Sequence, residues 1–221
     1  IKATDFKRDD KGRVIVNSKT GLPSAGSLIP VGTTEPKIKI GLSTLLKWKG
    51  VSVSATFDYR GGHVTRFDQE SEMLFTGSSY TSAIAGRQRF VFPNSVIEVT
   101  DNSGNKSYVE NTNVTVNSGG KSFWSSTYRS LAAARIVSAN VWKWRELSIN
   151  YDFPKKWLEK TKILQRASIG LVGRNLFIWT PKTNLWGDPE NWSGGYSNAP
   201  GISANSQSGS RTFGFNIILS F

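Results

Sequence analysis

The stretch Arg211-Thr-Phe-Gly-Phe-Asn-Ile-Ile-Leu-Ser-Phe221 predicts the fold of this sequence more clearly than any other. Apolar side chains occupy every second position of it, namely Phe213, Phe215, Ile217, Leu219 and Phe221. Because side chains alternate between the two faces of a strand, the stretch predicts a strand with one apolar and one mostly polar face. Its length matches the roughly 9–11 residues that a tilted strand needs to cross a bilayer. An edge strand of a soluble sheet alternates in the same way, so both readings stay open at this point.

The clearest repeat of the pattern is a predicted hairpin made of residues 37–48 and 51–60, joined by Lys49-Gly50. Its apolar positions are Ile38, Ile40, Leu42, Leu46 and Trp48 in the first run and Val51, Val53, Ala55, Phe57 and Tyr59 in the second. Two long strands joined by a two-residue turn are typical of a transmembrane hairpin, whereas a hairpin of a soluble sandwich is usually shorter.

Two further stretches, 141–153 and 167–179, resume the alternation, and the segments between the predicted strands are polar. These segments, 1–35, 61–139 and 180–210, are predicted as long loops with only short local strands or helices. Such lengths are unusual inside a compact domain but typical of the extracellular side of an outer-membrane barrel, whose periplasmic turns are short. The sequence therefore predicts an all-β transmembrane antiparallel barrel with the membrane strands 37–48, 51–60, 141–153, 167–179 and 211–221.

The composition narrows the function classes. The chain of 221 residues has no cysteine and no apolar run long enough for a transmembrane helix, and it carries 8 Trp and 12 Phe, which suits a protein that places aromatic residues at interfaces. Its formal net charge is +12, but the Lys and Arg residues are scattered and no recognition motif accompanies them, which argues against nucleic acid. A basic chain also suits lipid headgroups or an acidic cargo.

Candidates for catalysis are few. His63 is the only histidine, and no Ser-His-Asp order, metal-ligand cluster or phosphate-binding glycine loop accompanies it. The sequence therefore predicts no catalytic residue, no metal and no cofactor. Asp188 and Glu190 flank Pro189, but two carboxylates are too few to predict a Ca²⁺ site, and a structural hydrogen-bonding role is favoured.

Several segments, taken together and in order, resemble one family, the SusC/RagA-type TonB-dependent outer-membrane transporters of Bacteroidota. The matching segments are Lys11-Gly12-Arg13-Val14-Ile15-Val16, Gly21-Leu22-Pro23, Pro36-Lys37, Trp48-Lys49-Gly50, Asp58-Tyr59-Arg60-Gly61-Gly62, Trp144-Arg145-Glu146-Leu147-Ser148-Ile149-Asn150-Tyr151, Phe153-Pro154, Gly173-Arg174-Asn175-Leu176-Phe177, Asp188-Pro189-Glu190 and Arg211-Thr212-Phe213-Gly214 to Phe221. Each motif is weak alone, and the segment 61–139 matches only in scattered places.

The resemblance implies a plugged barrel of about 22 strands, to which residues 1–221 contribute the C-terminal portion with the last five strands. It implies import of glycan fragments or peptides across the outer membrane, with a SusD-like surface lipoprotein as partner and TonB as the source of energy. It also implies Phe221 as part of the signal read by the barrel-assembly machinery. Five strands leave open edges in lipid, and the chain starts at Ile1 without a visible signal peptide or plug. We therefore expect a longer transporter that supplies the plug, the TonB-contacting segment and the other strands.

A different class of function stays open beside the transporter. It is a structural or interaction protein without transport activity, either a scaffold barrel of a surface complex or a soluble adhesin-like β-sandwich. In both, the same alternating strands would serve only to build a sheet.

The second long loop contains three aromatic residues with a predicted binding role, Trp186, Trp192 and Tyr196. Aromatic rings stack on sugar rings, which makes these residues candidates for substrate binding. The alternative, which we favour, is that they pack the loop against its neighbours or against the lipoprotein.

Lys143 and Arg145 share the parity of the apolar residues Leu147 and Ile149, so simple alternation places them on the lipid face near the outer end of the strand. Cations cost little close to the membrane interface, and lipopolysaccharide phosphates there could bind both. The alternative is a bulge between Trp144 and Leu147 that turns one or both side chains to the other face.

Overall fold

The computed structural model describes residues 1–117, 120–191, 200–203 and 209–221. The chain divides into two compact units. The first unit contains Ile1–Thr34, Thr65–Val137 and residues 200–203, and the second contains Glu35–Val64, Ser138–Asn191 and residues 209–221.

Strands dominate the structure. In chain order they are β1 (Lys2–Phe6), β2 (Val14–Val16), β3 (Ala25–Pro30), β4 (Ile38–Trp48), β5 (Val51–Gly61), β6 (Val64–Phe67), β7 (Ser95–Thr100), β8 (Lys106–Glu110), β9 (Ile136–Ser138), β10 (Val141–Asp152), β11 (Arg166–Trp179), β12 (Ile202–Ser203) and β13 (Thr212–Ser220). The α-helices are α1 (Gln69–Thr76) and α2 (Lys155–Leu158), and single turns of other helix types cover Thr81–Ala83, Phe123–Tyr128, Ala132–Arg135 and Glu159–Thr161. Within the described residues, none of the helices is long and apolar enough to cross a membrane.

The second unit is built on one five-stranded antiparallel sheet with the strand order β13-β11-β10-β5-β4. These strands lie where the alternation predicts them, with ends that differ by at most one residue from the predicted ones. In the described part of the chain, β4 and β13 each pair with a neighbour on one side only, so the sheet is open.

The turn between β4 and β5 explains why their register is fixed. Lys49 and Gly50 have φ angles of 46° and 86°, which is the left-handed geometry of the tightest hairpin turns. A Cβ atom at position 50 would also lie 2.8 Å from the backbone oxygen of Asp152. Only glycine meets both conditions, so the Lys-Gly pair sets the turn and aligns Trp48 with Val51.

The register places the apolar residues of all five strands on one face of the sheet. Across the sheet, Leu46 lies opposite Val53, Val53 opposite Ile149, Ile149 opposite Leu171, and Leu171 opposite Phe215. Opposite residues of antiparallel strands point to the same side, which makes this row one continuous apolar face. The opposite, polar face carries Lys47, Ser52, Ser54, Thr56, Glu146, Ser148, Asn150 and Asn216. The predicted partition of side chains between the two faces is therefore confirmed for these residues.

One irregularity interrupts the register. The pairing of β10 with both neighbours shifts between Trp144 and Glu146, so Arg145 is the extra residue of a β-bulge. Because of the extra residue, the strand positions before the bulge have the opposite parity to those after it. Lys143 therefore does not share the face of Leu147 and lies opposite Asp58 on the polar face. The prediction that Lys143 and Arg145 share the apolar face with Leu147 is wrong, and the bulge considered as its alternative is present.

The first unit gives folded structure to segments predicted as long loops. It contains the antiparallel pair β1-β3, a sheet of order β2-β7-β8 and a small sheet of order β12-β6-β9. The short strand Val14–Val16 and the helical turn Ala132–Arg135 are examples of the local structure that was expected in these segments. Phe123 is the centre of an aromatic cluster, with ring centroids 5.7 Å from Phe90 and 5.5 Å from Phe92. The buried apolar core of the first unit consists of Ala3, Val14, Ile15, Val16, Phe67, Leu74, Val96, Val116, Phe123 and Leu131.

Candidate functional site

The strongest concentration of charge in the second unit lies on the polar face, at the end of the sheet opposite Lys49-Gly50. We name this end the loop end and the other the turn end. Six side chains meet there and are called the charged cluster: Asp58, Arg60, Lys143, Arg145, Asp188 and Glu190. Strands β5 and β10 supply the first four, and the segment after β11 supplies the two carboxylates that flank Pro189.

Glu190 is the centre of the charged cluster. It accepts hydrogen bonds from Lys143 and from Arg145, whose Nη2 atom lies 2.8 and 2.7 Å from its two carboxylate oxygens. The Nε atom of Arg60 lies 2.9 Å from the same carboxylate. One glutamate thus neutralises parts of three cations, while Asp188 holds Lys143 through a contact of 2.6 Å.

Asp58 closes the cluster on the side of β5. Its Oδ2 atom lies 2.7 Å from Arg145 and 3.9 Å from Arg60. Its Oδ1 atom is buried and has no hydrogen-bond partner in the described part of the chain. Asp58 and Arg60 were not predicted as site residues, although charged residues at two successive polar-face positions of an otherwise Ser- and Thr-rich strand were a visible signal.

Burial sets the electrostatics of the cluster. Lys143 is only 7% exposed, and a buried cation is tolerated only when carboxylates and hydrogen bonds compensate for the lost water. Burial alone would raise the pKa of Glu190, but the hydrogen bonds from Lys143 and Arg145 outweigh it and hold the pKa below its ordinary value. Glu190 is therefore charged at neutral pH, in a cluster that contains three basic and three acidic side chains.

Internal hydrogen bonds hold the segment that carries the two carboxylates. Asn184 accepts hydrogen bonds from the backbone nitrogens of Trp186 and Gly187 and donates one to the carbonyl of Gly187. Asp188 then accepts a hydrogen bond from the backbone nitrogen of Glu190 at 2.9 Å. These turns place both carboxylates against β10, so the ion pairs of the cluster connect this segment to the sheet.

A cavity of about 420 Å³ lies beside the charged cluster. Its lining combines charged, amide and apolar groups from the strands and from the segment after β11: Lys143, Arg145, Asn175, Phe177, Asp188 and Asn191. Such a mixture suits a polar ligand that also offers an apolar or ring surface. In the described residues, no group of three or more His, Asp or Glu side chains is arranged to hold a metal ion.

The predicted substrate-binding residues are described only in part. Trp186 is half-buried within the segment after β11. Trp192 and Tyr196 lie outside the described residues. The role of the three aromatic residues in binding therefore stays a prediction.

Lys143 and Arg145 are both engaged by carboxylates of the chain itself. The lipid-facing position that suggested a contact with lipopolysaccharide is wrong, because the bulge at Arg145 turns the pair to the polar face. Contact with lipopolysaccharide stays an untested prediction that has lost its structural basis. Phe221 follows β13 and is 73% exposed, and its predicted role in assembly is not tested by this geometry.

His63 lies just beyond β5 and is buried, with an exposure of 7%. Burial, followed by the nearby charge of Arg60, lowers the pKa of its imidazole, which is therefore neutral at pH 7. Its Nδ1 atom has no hydrogen-bond partner in the part of the chain that the structure describes. This environment is that of a packed histidine.

Comparison with known proteins identifies relatives by fold only. No protein-family model and no curated protein sequence matches the chain. Among solved structures, the RagAB peptide importer in its closed-closed state matches with a TM-score of 0.58 and 17% identity, over 100% of this chain and 23% of that chain. Its open-open state gives a TM-score of 0.57 at 17% identity, over 100% of this chain and 22% of that one. A further structure of the RagAB peptide transporter gives 0.55 at 15% identity.

At this identity the likeness shows a shared fold. The chain spans less than a quarter of the length of the importer chains that it matches. It therefore has the fold of a segment of these importer chains, which agrees in general terms with the resemblance found in the sequence.

Proposed function

We propose that this chain is part of the barrel of a TonB-dependent importer in the outer membrane, which takes up peptides or glycan fragments together with a SusD-like surface lipoprotein. In this proposal the apolar face contacts lipid and the polar face lines the lumen. The segments 1–35, 61–139 and 180–210 lie outside the cell, and the turn end lies in the periplasm. The proposal assigns no catalytic activity to the chain.

The observation that carries the proposal is the apolar face. It spans five strands, and its side chains are largely exposed, with Leu46 at 67%, Leu171 at 60% and Phe215 at 76%. Soluble proteins rarely expose a contiguous apolar surface of this extent. Lipid is the environment in which such a face is stable, and the fold shared with the RagAB importer supports the same reading.

The aromatic residues support a membrane position as well. At the loop end, the rings of Tyr59 and Trp142 lie 4.8 Å apart, and Trp142 pairs with Trp179 in the register. At the turn end, Trp48 and Phe221 are exposed. Aromatic belts at both ends of an apolar band are typical of outer-membrane barrels.

For the substrate, the cavity beside the charged cluster is the proposed contact on this chain. Its charged and amide groups suit peptide termini, amides and sugar hydroxyls. Peptide and glycan therefore both stay in the proposal as substrate classes.

The test is uptake by cells that carry the full-length gene, a deletion of it, or a deletion of tonB. We expect the full-length protein in the outer-membrane fraction with heat-modifiable migration, and TonB-dependent uptake of either labelled peptides or labelled oligosaccharides. A protein found in the outer membrane without any uptake difference for either substrate class would favour a scaffold role. A protein that is soluble without detergent would contradict the barrel itself.

A further inference from the structure

The two ends of the five-stranded sheet differ in how their positive charges are satisfied. At the loop end, each cation of the charged cluster has a carboxylate within hydrogen-bond distance. At the turn end, the connection between β10 and β11 carries Lys155, Lys156, Lys160 and Lys162, all exposed. None of these four lysines forms an ion pair with any described residue.

The sequence of this connection adds to the contrast. Residues 155–162 contain four lysines and a single carboxylate, Glu159, for a net charge of +3. The nearby Asp152 is already paired with Arg166 at 3.3 Å. Like charges so close together repel, and anions from outside the chain would relieve this repulsion.

The connection is also fixed to the apolar face. Leu158 is buried and anchors α2, and the rings of Tyr151, Phe153 and Trp157 follow one another with centroids 5.1 and 6.3 Å apart. Tyr151 belongs to the apolar face, since it lies opposite Val51. Trp157 continues that face beyond the strands and is 56% exposed.

The hairpin turn repeats this combination on the neighbouring strands. Trp48 is 71% exposed, and the ammonium group of Lys49 lies 4.9 Å from the centre of its ring. The backbone oxygen of Gly50 accepts a hydrogen bond from Asp152, so the two turns are adjacent. At the turn end, the edge of the apolar face thus carries exposed tryptophans with lysines beside them that form no ion pair with a described residue.

We propose that the turn end binds the phosphate groups of anionic phospholipids. The inference rests on the proposed function, in which the apolar face contacts lipid. Tryptophan rings settle at the level of lipid headgroups, and lysines beside them reach outward to the phosphates. Each lysine near an anionic leaflet adds attraction that falls off with ionic strength. The four lysines therefore select anionic over zwitterionic lipids at this end of the sheet.

The experiment compares lipids retained by the full-length protein after reconstitution into nanodiscs of phosphatidylcholine with a minor share of phosphatidylglycerol. Mass spectrometry measures the ratio of the two lipids that copurify after mild detergent extraction. We expect enrichment of phosphatidylglycerol around the natural protein, lost at high salt. The variant with Lys155→Gln, Lys156→Gln, Lys160→Gln and Lys162→Gln should lower this enrichment by at least about tenfold.

A matched variant replaces four exposed lysines of the first unit, with the substitutions Lys2→Gln, Lys11→Gln, Lys19→Gln and Lys121→Gln. It removes the same charge and should keep the enrichment. Equal enrichment in the natural protein and the turn-end variant would overturn the inference, as would an equal loss in the matched variant. A protein that enters the nanodiscs without enrichment contradicts the inference alone. A protein that does not enter them contradicts both the inference and the proposed function.

Discussion

The surroundings of two glutamates in this protein shift their pKa values in opposite directions. Glu190 receives hydrogen bonds from Lys143 and Arg145, so its charged form is stabilised although it is partly buried. Glu70, on α1 of the first unit, is 3% exposed, and burial raises its pKa despite a hydrogen bond from the hydroxyl of Thr81. The two residues should therefore respond oppositely to loss of charge.

For Glu190, replacement by Gln should destabilise the protein. The change removes the carboxylate that Lys143 and Arg145 share and leaves both cations short of a partner. We expect the free energy of unfolding to fall by about 1–3 kcal/mol at about pH 7. Thermal unfolding of the full-length protein in detergent measures the effect, and Glu159→Gln at an exposed position without an ion pair to a described residue is the control.

The pH dependence gives a second readout of the same residue. Because the pKa of Glu190 in the folded protein lies below the ordinary value of 4.5, its stabilisation is complete above about pH 4.5 and is lost as the pH falls through the folded-state pKa. The difference in stability between the natural protein and Glu190→Gln should therefore shrink on acidification from that point. A difference that stays constant down to about pH 2 would show that the charge of Glu190 does not matter.

For Glu70, removal of the charge is expected to stabilise the folded protein, which is the opposite of the effect at Glu190. Its raised pKa means that the charged form is disfavoured in the folded state, so folding is most favourable below the ordinary value of 4.5 and loses stability as the pH rises through the folded pKa. Glu70→Gln keeps an oxygen that accepts from Thr81 and removes the buried charge. Hydrogen exchange of the α1 amides should become slower at about pH 7 and unchanged at about pH 4. Faster exchange at the higher pH would contradict this expectation.

At the scale of single strands, the bulge at Arg145 divides β10 into two registers relative to β5. Below it, Ser148 lies opposite Ser54, and above it Trp142 lies opposite Tyr59. A strand without the bulge that kept the first pair would place Trp142 opposite Arg60. The chain contains no cysteine, so pairs of introduced cysteines report the register directly.

We expect disulfide formation in the variants Ser148→Cys with Ser54→Cys and Trp142→Cys with Tyr59→Cys. The offset pair Trp142→Cys with Arg60→Cys is the control and should stay reduced, because its side chains point to opposite faces. Gel migration under non-reducing conditions measures the outcome. Efficient cross-linking of the offset pair would show that β10 is regular and that Lys143 lies on the apolar face.

Whether a feature of the structure could be predicted from the sequence depends on the range of the interactions that determine it. The five long strands could be predicted because alternation over ten residues is a local signal, as in Val51 to Arg60. The bulge could be named only as an alternative, because Lys143 and Arg145 continue the parity of Leu147 and nothing in their own spacing marks the extra residue. The partners of Lys143 lie 45 and 47 residues away, so the charged cluster becomes visible only when the chain is folded.

The strands of the first unit could be predicted only as unspecified local structure, for a different reason. Strand β2 has 3 residues and β8 has 5, which is too short for alternation to stand out from chance. Its core also depends on residues distant in sequence, such as Val14, which pairs with Ser95. A composition rich in Gly, Ser and Asn indicated loops, whereas long-range packing of a few apolar residues determines the fold.

At the scale of the whole protein, Phe221 allows assembly to be separated from stability. We expect Phe221→Asp to reduce the amount of protein inserted in the outer membrane far more than it destabilises protein already inserted. The loss of one exposed aromatic side chain at an interface costs only about 1–3 kcal/mol. Quantitative immunoblotting of outer-membrane fractions measures insertion, and unfolding of the purified variant measures stability. Leu185→Asp, at another exposed apolar side chain, is the control, and normal insertion of Phe221→Asp would contradict a role in assembly.

The two edge strands of the five-stranded sheet have a consequence for how the protein folds. Strands β4 and β13 each leave a row of backbone donors and acceptors without a described partner, next to a wide apolar face. Such an edge recruits any other extended chain, including a second copy of itself, and so begins aggregation. Under the proposed function, the exported polypeptide should therefore stay unfolded and bound by chaperones in the periplasm until other strands pair with both edges. The rate of delivery to the membrane, rather than the stability of the finished sheet, should then limit how much of this protein a cell can accumulate.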